Sequence, residues 1–214
     1  NQMLIKYMLN MGEETFPELV GEVIWGTEVL RTEGIRHSQF LYLLGVKPTW
    51  DNTGTVNGTE IIPLEELTLN LNGTIYNRPR IDVFATIVSN NPNWIGLLTE
   101  AVEKVSKLNE SENDNYVIKH LTENPSTERL FGLPGAVLEG TGVSDMLNNA
   151  ISELGNDTDL SYKIASVYES RISHSWNVDQ DGNIVVKDNS EIFSYLLEHV
   201  SLVIQNLDST WRYL

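Results

Sequence analysis

Cysteine is absent from this sequence of 214 residues, which excludes disulfide bonds, thiolate metal ligands and cysteine nucleophiles. Basic residues are scarce, 14 against 30 acidic ones, for a formal net charge of −16. Such a charge repels partners that carry many phosphates, so we expect no binding to nucleic acid. No apolar run reaches the ~18 residues that a membrane span needs. We expect a globular chain with no membrane span, and a cytoplasmic location.

Strand and helix patterns alternate in the first half of the chain. Residues 19–25 form a short apolar run rich in β-formers, and residues 32–44 follow with a helix pattern. Turn signals in residues 46–62 indicate a hairpin or a long loop. A second apolar run, residues 80–88, precedes a periodic helix with Asn93 as its cap. This alternation favours a parallel sheet covered by helices, because parallel strands need crossover connections, and the predicted fold class is α/β.

Helix patterns dominate the second half, after a polar and acidic segment at residues 109–115 that is the best candidate for a linker or a long surface loop. Apolar residues recur three or four positions apart in residues 145–154, 159–173 and 190–208. A short strand is expected at residues 184–186. The sequence therefore predicts an α/β sub-domain over residues 1–112 and a helix-rich sub-domain over residues 113–214, which can pack as one unit.

Short motifs in the first half resemble the large subunit of cobaltochelatases and magnesium chelatases. Phe16-Pro17-Glu18 and the block at residues 23–34 resemble the Tyr-Pro-Glu and Leu-Trp-Gly-Thr-Asp-x-x-Lys-Thr-x-Gly of that family. Further blocks match at residues 43–48, 62–67 and 78–83, the last resembling Gly-Arg-Pro-Arg-Ile-Asp-Val. Several short blocks in family order are specific, whereas a single Trp-Gly-Thr would mean little.

The second half is similar to the same family. Its matching motifs stand at residues 129–136, 140–143, 168–173 and 205–212. The resemblance thus covers nearly the whole chain, and in the family this stretch belongs to a much longer protein. We expect the chain to be a fragment of the large subunit.

The resemblance implies that the parent enzyme is a ligase whose subunits have different roles. The large subunit holds a tetrapyrrole, while an AAA+ ATPase and an adaptor subunit use ATP to drive insertion of Co²⁺, which we prefer, or Mg²⁺. We expect the fragment to bind no cofactor, to hold no metal site and to be inactive alone. The Gly-rich residues 132–142 lack a Walker lysine, and they form either a tight turn or a contact for a substrate carboxylate.

Four residues in the matched motifs are the candidate tetrapyrrole contacts: Arg129, Tyr168, Arg171 and His174. A guanidinium can hold a carboxylate or amide arm in a bidentate manner, although in so acidic a chain it can equally form a structural ion pair. Residues 168–176 combine a cation, an imidazole and aromatic surface within about two helical turns. We expect Tyr168, Arg171 and His174 to lie together on one helix face.

Catalytic residues are not assigned by the sequence. Glu22 and Glu28 are among the carboxylates that can accept a proton from a pyrrole nitrogen, or they are solvated charges. One departure from the family bears on activity: the family has Ser-Gly-x-Phe-Arg-Asp where Ser89-Asn90-Asn91-Pro92-Asn93-Trp94 stands here. If the Arg-Asp pair supports insertion, the alternative is a non-catalytic paralogue that binds a tetrapyrrole or acts as a scaffold. A generic α/β sugar- or nucleotide-binding domain is a third alternative, disfavoured because no phosphate motif is present.

Overall fold

A computed structural model describes residues 2–12, 14–24, 33–87, 91–134 and 158–205. The helices are α1 (Gln2–Met11), α2 (Ile35–Leu44), α3 (Pro92–Ser106), α4 (Tyr116–Glu123), α5 (Thr158–Ile172) and α6 (Ser190–His199). The strands are β1 (Leu19–Ile24), β2 (Val46–Trp50), β3 (Val56–Ile61), β4 (Thr68–Leu71), β5 (Thr74–Asn77), β6 (Asp82–Ile87), β7 (Leu130–Gly132), β8 (His174–Val178), β9 (Ile184–Asp188) and β10 (Leu202–Ile204). No helix among these residues is long and apolar enough to cross a membrane.

A six-stranded sheet in the order β10-β1-β6-β7-β8-β9 forms the centre of the fold. Its first four strands are parallel, and β8 and β9 are added in antiparallel orientation. The hairpins β2–β3 and β4–β5 form two separate small sheets. The α/β class with a mostly parallel sheet is therefore confirmed. Strands from both sides of residue 112 share the central sheet.

Helices pack on both faces of this sheet, because its central strands are apolar on both sides. β1 reads Leu-Val-Gly-Glu-Val-Ile, and β6 reads Asp-Val-Phe-Ala-Thr-Ile. Alternate residues of each strand point to opposite faces. Val20 and Val83 belong to the larger core, which includes α2 and α3, whereas Leu19 and Phe84 belong to a smaller core with Phe193 of α6.

The crossover helices start at well-defined caps. α2 begins after Gly34, which has a left-handed backbone with φ 81° and no side chain that can cap the helix. α3 begins with Pro92, and the side chain of Asn91 accepts a hydrogen bond from the N–H of Asn93 at 3.0 Å. The helix after the second apolar run is thus confirmed, but its cap is Asn91 and not Asn93. The predicted start of α2 at Thr32 lies outside the described residues.

The end of α5 differs from the sequence prediction. The helix ends at Ile172, and the chain continues as strand β8, which pairs with β7 and β9. Trp176 explains this change, because its buried ring packs over Gly132 and its indole N–H donates to the carbonyl of Leu133 at 3.1 Å. Residues 168–176 are therefore not one helix, since sheet pairing outweighs the local periodicity.

One further boundary in the second half is corrected, and one strand is confirmed. The helix predicted at residues 190–208 ends at His199, because residues 202–204 pair with β1. Segment 109–115 agrees with the surface-loop alternative, and its buried Asn115 donates a hydrogen bond to the carbonyl of Val105. The short strand predicted at residues 184–186 is β9. The helix predicted at residues 145–154 lies outside the described residues.

Candidate functional site

The four parallel strands end at one side of the sheet, which we call the carboxyl edge. In open α/β sheets, ligands bind in the crevice outside the carboxyl ends of the strands. α2 and α3 follow β1 and β6 in the chain, so their first turns lie at this edge. Residues 25–32, 88–90 and 135–157, which follow β1, β6 and β7 in sequence, lie outside the described residues. The described part of the edge is therefore made by the strand ends and the two helix starts.

Glu22 lies near the carboxyl edge, on the central strand β1. The side chain is buried, with only 1% of the residue exposed, and neither carboxylate oxygen has a hydrogen-bond partner. Its register neighbours are Ala85 on β6 and Ile204 on β10. Burial raises the pKa of Glu22 to about 8, against the opposing charge of Arg36. Glu22 is thus largely protonated at neutral pH, and a solvated charge at this position is excluded.

Arg36 and His37 are in the first turn of α2, and Trp94 is in the first turn of α3. Arg36 is close enough to Glu22 for its charge to lower the pKa of that carboxyl. Arg36 is buried and donates a hydrogen bond to Gln39 Oε1 at 3.1 Å. His37 is also buried, with its ring 4.6 Å from the Trp94 ring and its Nδ1 without a partner. Burial lowers the pKa of His37 to about 4, so its imidazole is neutral. We call Glu22, Arg36, His37 and Trp94 the Glu22 cluster.

A second buried polar group lies at the start of β6, and all its members are satisfied. Asp82 is fully buried and accepts hydrogen bonds from Arg129 Nε at 2.9 Å and from His120 Nδ1 at 2.8 Å. Burial alone would raise the pKa of Asp82, but the charge of Arg129 and the hydrogen bonds from His120 and Arg129 hold it below its usual range. Asp82 is therefore an ionised carboxylate paired inside the protein.

The four sequence-predicted contacts lie in different environments. Arg129 is buried, and its remaining donors bind the carbonyls of Ser126 and Glu128. Tyr168 is partly buried on α5, where desolvation raises its pKa against a hydrogen bond with Thr86. Arg171 is exposed in the last turn of α5, and His174 is on β8.

The prediction that Tyr168, Arg171 and His174 share one helix face is wrong, whereas their predicted contacts with a tetrapyrrole are not tested by these positions. Tyr168 and Arg171 are on the helix, whereas His174 belongs to the strand that follows it. The three side chains therefore do not form one helix face. Their contact with a tetrapyrrole, like that of Arg129, stays a prediction.

Two buried arginines were not assigned a role by sequence reasoning. Arg78 donates to the carbonyl of Leu43 at 3.1 Å, and its guanidinium lies 4.4 Å from the centre of the Tyr42 ring. Arg80 donates to the carbonyls of Gly45 and Ile62 and forms an ion pair with Glu110, at 2.8 Å from Nε. The two arginines thus hold the carboxyl end of α2 and the residues that follow it against the segment that precedes β6. The available signal was the Arg-Pro-Arg spacing before an apolar strand, which places charges beside a buried element.

An open cavity of about 720 Å³ lies at the opposite end of β6, near its amino end. Its lining includes Tyr76, Arg78 and Tyr116, together with the acidic residues Glu14 and Asp114. Among the described residues, no group of three or more His, Asp or Glu side chains is arranged to hold a metal ion. One buried atom without a hydrogen-bond partner, Arg78 Nε, belongs to this lining, whereas both carboxylate oxygens of Glu22 and Nδ1 of His37 lie away from it.

Comparison with known proteins assigns the chain to a family. The described architecture is an α/β domain with an incompletely satisfied polar cluster at its carboxyl edge. The family described as CobN/Magnesium Chelatase matches residues 1–212, and the chain belongs to this family.

Individual relatives agree with the family match. An uncharacterized protein of Methanocaldococcus jannaschii is 41% identical over 125 residues, covering 56% of this chain and 9% of that protein. The chloroplastic magnesium-chelatase subunit ChlH of Oryza sativa is 31% identical and covers 91% of this chain and 14% of the relative. The catalytic subunit of cobaltochelatase from Mycobacterium tuberculosis has a similar structure, with a TM-score of 0.77 and 26% identity over 96% of this chain and 17% of that one. The chain thus spans less than a fifth of the length of these relatives.

Proposed function

We propose that the chain is a part of the large, tetrapyrrole-binding subunit of an ATP-dependent metal chelatase. The enzyme would insert Co²⁺, or alternatively Mg²⁺, into a corrin or porphyrin ring. The observation that carries this proposal is the match of residues 1–212 to the chelatase family, together with the shared fold over 96% of the chain. The small share of each relative that is covered supports a role within a longer subunit.

The metal is a substrate in this proposal, and ATP is used by a partner. An AAA+ ATPase and an adaptor subunit would drive the insertion, while this chain contributes to the chamber that holds the macrocycle. The Glu22 cluster supports such a role, because buried polar atoms without partners at the carboxyl edge are available to a ligand. Arg171, exposed near the end of α5, is a further candidate contact.

A second candidate is a family paralogue that binds a tetrapyrrole without inserting metal. The family's Arg-Asp pair falls at Asn93 and Trp94 in this chain. Here the N–H of Asn93 bonds to the Asn91 cap, and the Trp94 ring packs against His37 at 4.6 Å. An aromatic contact therefore replaces the charged pair in the first turn of α3. If the family's Arg-Asp pair takes part in metal insertion, its replacement here favours a protein that binds a tetrapyrrole without inserting metal.

Reconstitution of the full-length protein tests both candidates. Tetrapyrrole binding is measured by the shift of the Soret band, and insertion by the spectrum of the metallated ring after addition of ATP, the AAA+ and adaptor subunits, and either Co²⁺ or Mg²⁺. ATP-dependent insertion is expected. Binding without insertion, with partners shown to be active, would identify the paralogue. Absence of both would refute the proposal.

The double variant Asn93→Arg with Trp94→Asp separates the two candidates further. It restores the family's charged pair at the start of α3. If the natural chain belongs to a non-catalytic paralogue, the variant should gain insertion, whereas in an active chelatase it should change the rate little. Thermal denaturation is the control, because the variant also removes the ring that packs against His37.

A further inference from the structure

We propose that Glu22, Arg36 and the first turn of α2 form a subsite that binds a carboxylate arm of the tetrapyrrole. This inference rests on the proposed function, since it names the part of the substrate that this edge of the sheet would hold. None of the four contacts expected from the sequence belongs to this subsite.

Three buried polar atoms of the Glu22 cluster have no hydrogen-bond partner. They are both carboxylate oxygens of Glu22 and Nδ1 of His37. Buried side-chain polar atoms almost always have a hydrogen-bond partner, because a buried group without one loses its hydration with no compensation. Arg78 Nε and His174 Nδ1 are the other buried atoms without a partner among the described residues, and they lie in separate places. A carboxyl group near the carboxyl edge with both oxygens unpartnered therefore points to a ligand that supplies the missing partners.

The charges around the unpartnered atoms of the Glu22 cluster favour an anionic ligand. Arg36 brings a permanent cation into the first turn of α2, and Gly34 leaves that helix start without a side-chain cap. The free N–H groups of a helix start and the helix dipole both favour negative charge. Glu22, which is largely protonated at neutral pH, can donate its O–H to a carboxylate. A ligand carboxylate would thus meet a cation, helix N–H groups and a carboxylic acid.

A cation fits this subsite poorly. Arg36 would repel it, and Glu22 would have to lose its proton inside the protein to act as a ligand. The cavity near the amino end of β6 is the other possible place for an anionic arm, but Glu14, Glu65 and Asp114 in its lining oppose an anion there. Corrins and porphyrins carry carboxylate arms at their periphery, so the carboxyl edge is the better match.

Within the ranges that the structure describes, few charged groups compete with this arrangement. α2 contributes Arg36 and His37, and His37 is neutral above a pKa of about 4. The neighbouring strands place Ala85 and Ile204 beside Glu22, and α3 contributes Trp94, none of which titrates. Arg36 is the only charge that shifts the pKa of Glu22 among the described residues. The affinity for an anion should therefore depend on Arg36 and on the proton of Glu22.

The test compares deuteroporphyrin IX, which has propionate arms, with its dimethyl ester, using the full-length protein. The free acid should bind more tightly than the ester. Arg36→Gln should weaken binding of the acid by roughly 10- to 100-fold, the effect of losing a charged hydrogen bond, and leave the ester unchanged. Lys47→Gln is the control, because it removes an exposed cation on the β2–β3 hairpin.

The Glu22→Gln variant gives a second measurement that does not depend on the folding of the Arg36 variant. Glutamine keeps an N–H donor but cannot ionise. Above pH 8 the natural protein should lose affinity for the acid as Glu22 becomes charged and repels it, whereas the Glu22→Gln variant should keep a flat profile. The ester should show no such pH dependence in either protein.

The possible failures are distinguishable. Equal binding of acid and ester, or an unchanged preference in a folded Arg36→Gln protein, would overturn the subsite and leave the proposed function intact. Failure to bind either compound would remove the proposed function and this inference together. Displacement of the acid by millimolar inorganic phosphate would assign the subsite to a free anion and overturn its role for a tetrapyrrole arm.

Discussion

Buried carboxylates in this protein occur in two opposite environments. Asp82 is paired with Arg129 and His120, and its charge is compensated inside the core. Glu22 has no hydrogen-bond partner and avoids the cost of a buried charge by keeping its proton. The first arrangement supports the fold, whereas the second reduces stability and suits a functional position.

Glu22 makes the stability of the protein depend on pH. Its pKa rises from 4.5 in the unfolded chain to about 8 in the folded one, so the folded state binds more protons between these values. Its contribution is complete below about pH 4.5 and is lost as the pH rises to 8. Relative to Glu22→Gln, the natural chain should lose on the order of 3–5 kcal/mol between pH 5 and 9. Urea denaturation across this range measures the difference.

A matched control keeps this prediction specific. Glu60 is an exposed glutamate on β3 that pairs with Lys47. Glu60→Gln should leave the pH profile of the natural protein unchanged, because this side chain is exposed and solvent screens its ion pair with Lys47. Parallel profiles for the natural chain and the Glu22→Gln variant would show that Glu22 is hydrated in solution.

Arg129 and Arg171 should respond differently to replacement by alanine. Arg129→Ala leaves Asp82 as an uncompensated buried charge, so it should cost about 3–5 kcal/mol of the free energy of unfolding. Arg171→Ala, at an exposed position, should change stability by no more than about 0.5 kcal/mol. Denaturation of both variants measures these values.

Titration of the full-length Arg171→Ala protein with the tetrapyrrole tests the predicted contact of Arg171. The binding free energy should fall by about 1.5–3 kcal/mol.

At the scale of elements, the turn from α2 into β2 depends on Gly45. Its φ is 71°, and an added Cβ would lie 2.6 Å from Arg80 Nη1 and 2.6 Å from Leu67 Cδ1. Gly45→Ala should therefore cost about 2–5 kcal/mol, combining left-handed strain with a clash. Gly54→Ala is the matched control, because its φ is 81° but nothing lies within 4 Å. It should cost about 1–2 kcal/mol, and thermal denaturation compares the two. Similar losses would mean that Arg80 and Leu67 move aside easily.

The sequence predicted those elements whose local pattern and tertiary environment agree. β1 and β6 are apolar on both faces, and α3 follows a cap and a proline, so their assignment needed no knowledge of distant residues. The strand β8 was missed because Trp176 is held by Gly132 and Leu133, more than 40 residues earlier in the chain. Local periodicity contains no information about such a partner.

The candidate site was predictable in part for a similar reason. The family motifs could be read from the sequence, and Glu22 was among the carboxylates considered for proton transfer. Its burial next to Arg36, and the packing of Trp94 on His37, depend on how two helix starts meet one strand. The pairing of Arg129 with Asp82, 47 positions away, could likewise not be read from the local sequence.

For the whole molecule, the pairing of β10 with β1 has a consequence during synthesis. The N–H of Leu19 bonds to Ser201 Oγ, 182 positions later in the chain. At translation rates of about 5–20 residues per second, the outer side of β1 waits roughly 10–40 s for its neighbour. An unpaired strand edge can recruit other nascent chains. The yield of soluble protein should therefore depend on chaperones that shield this edge on the ribosome, even when the finished protein is stable.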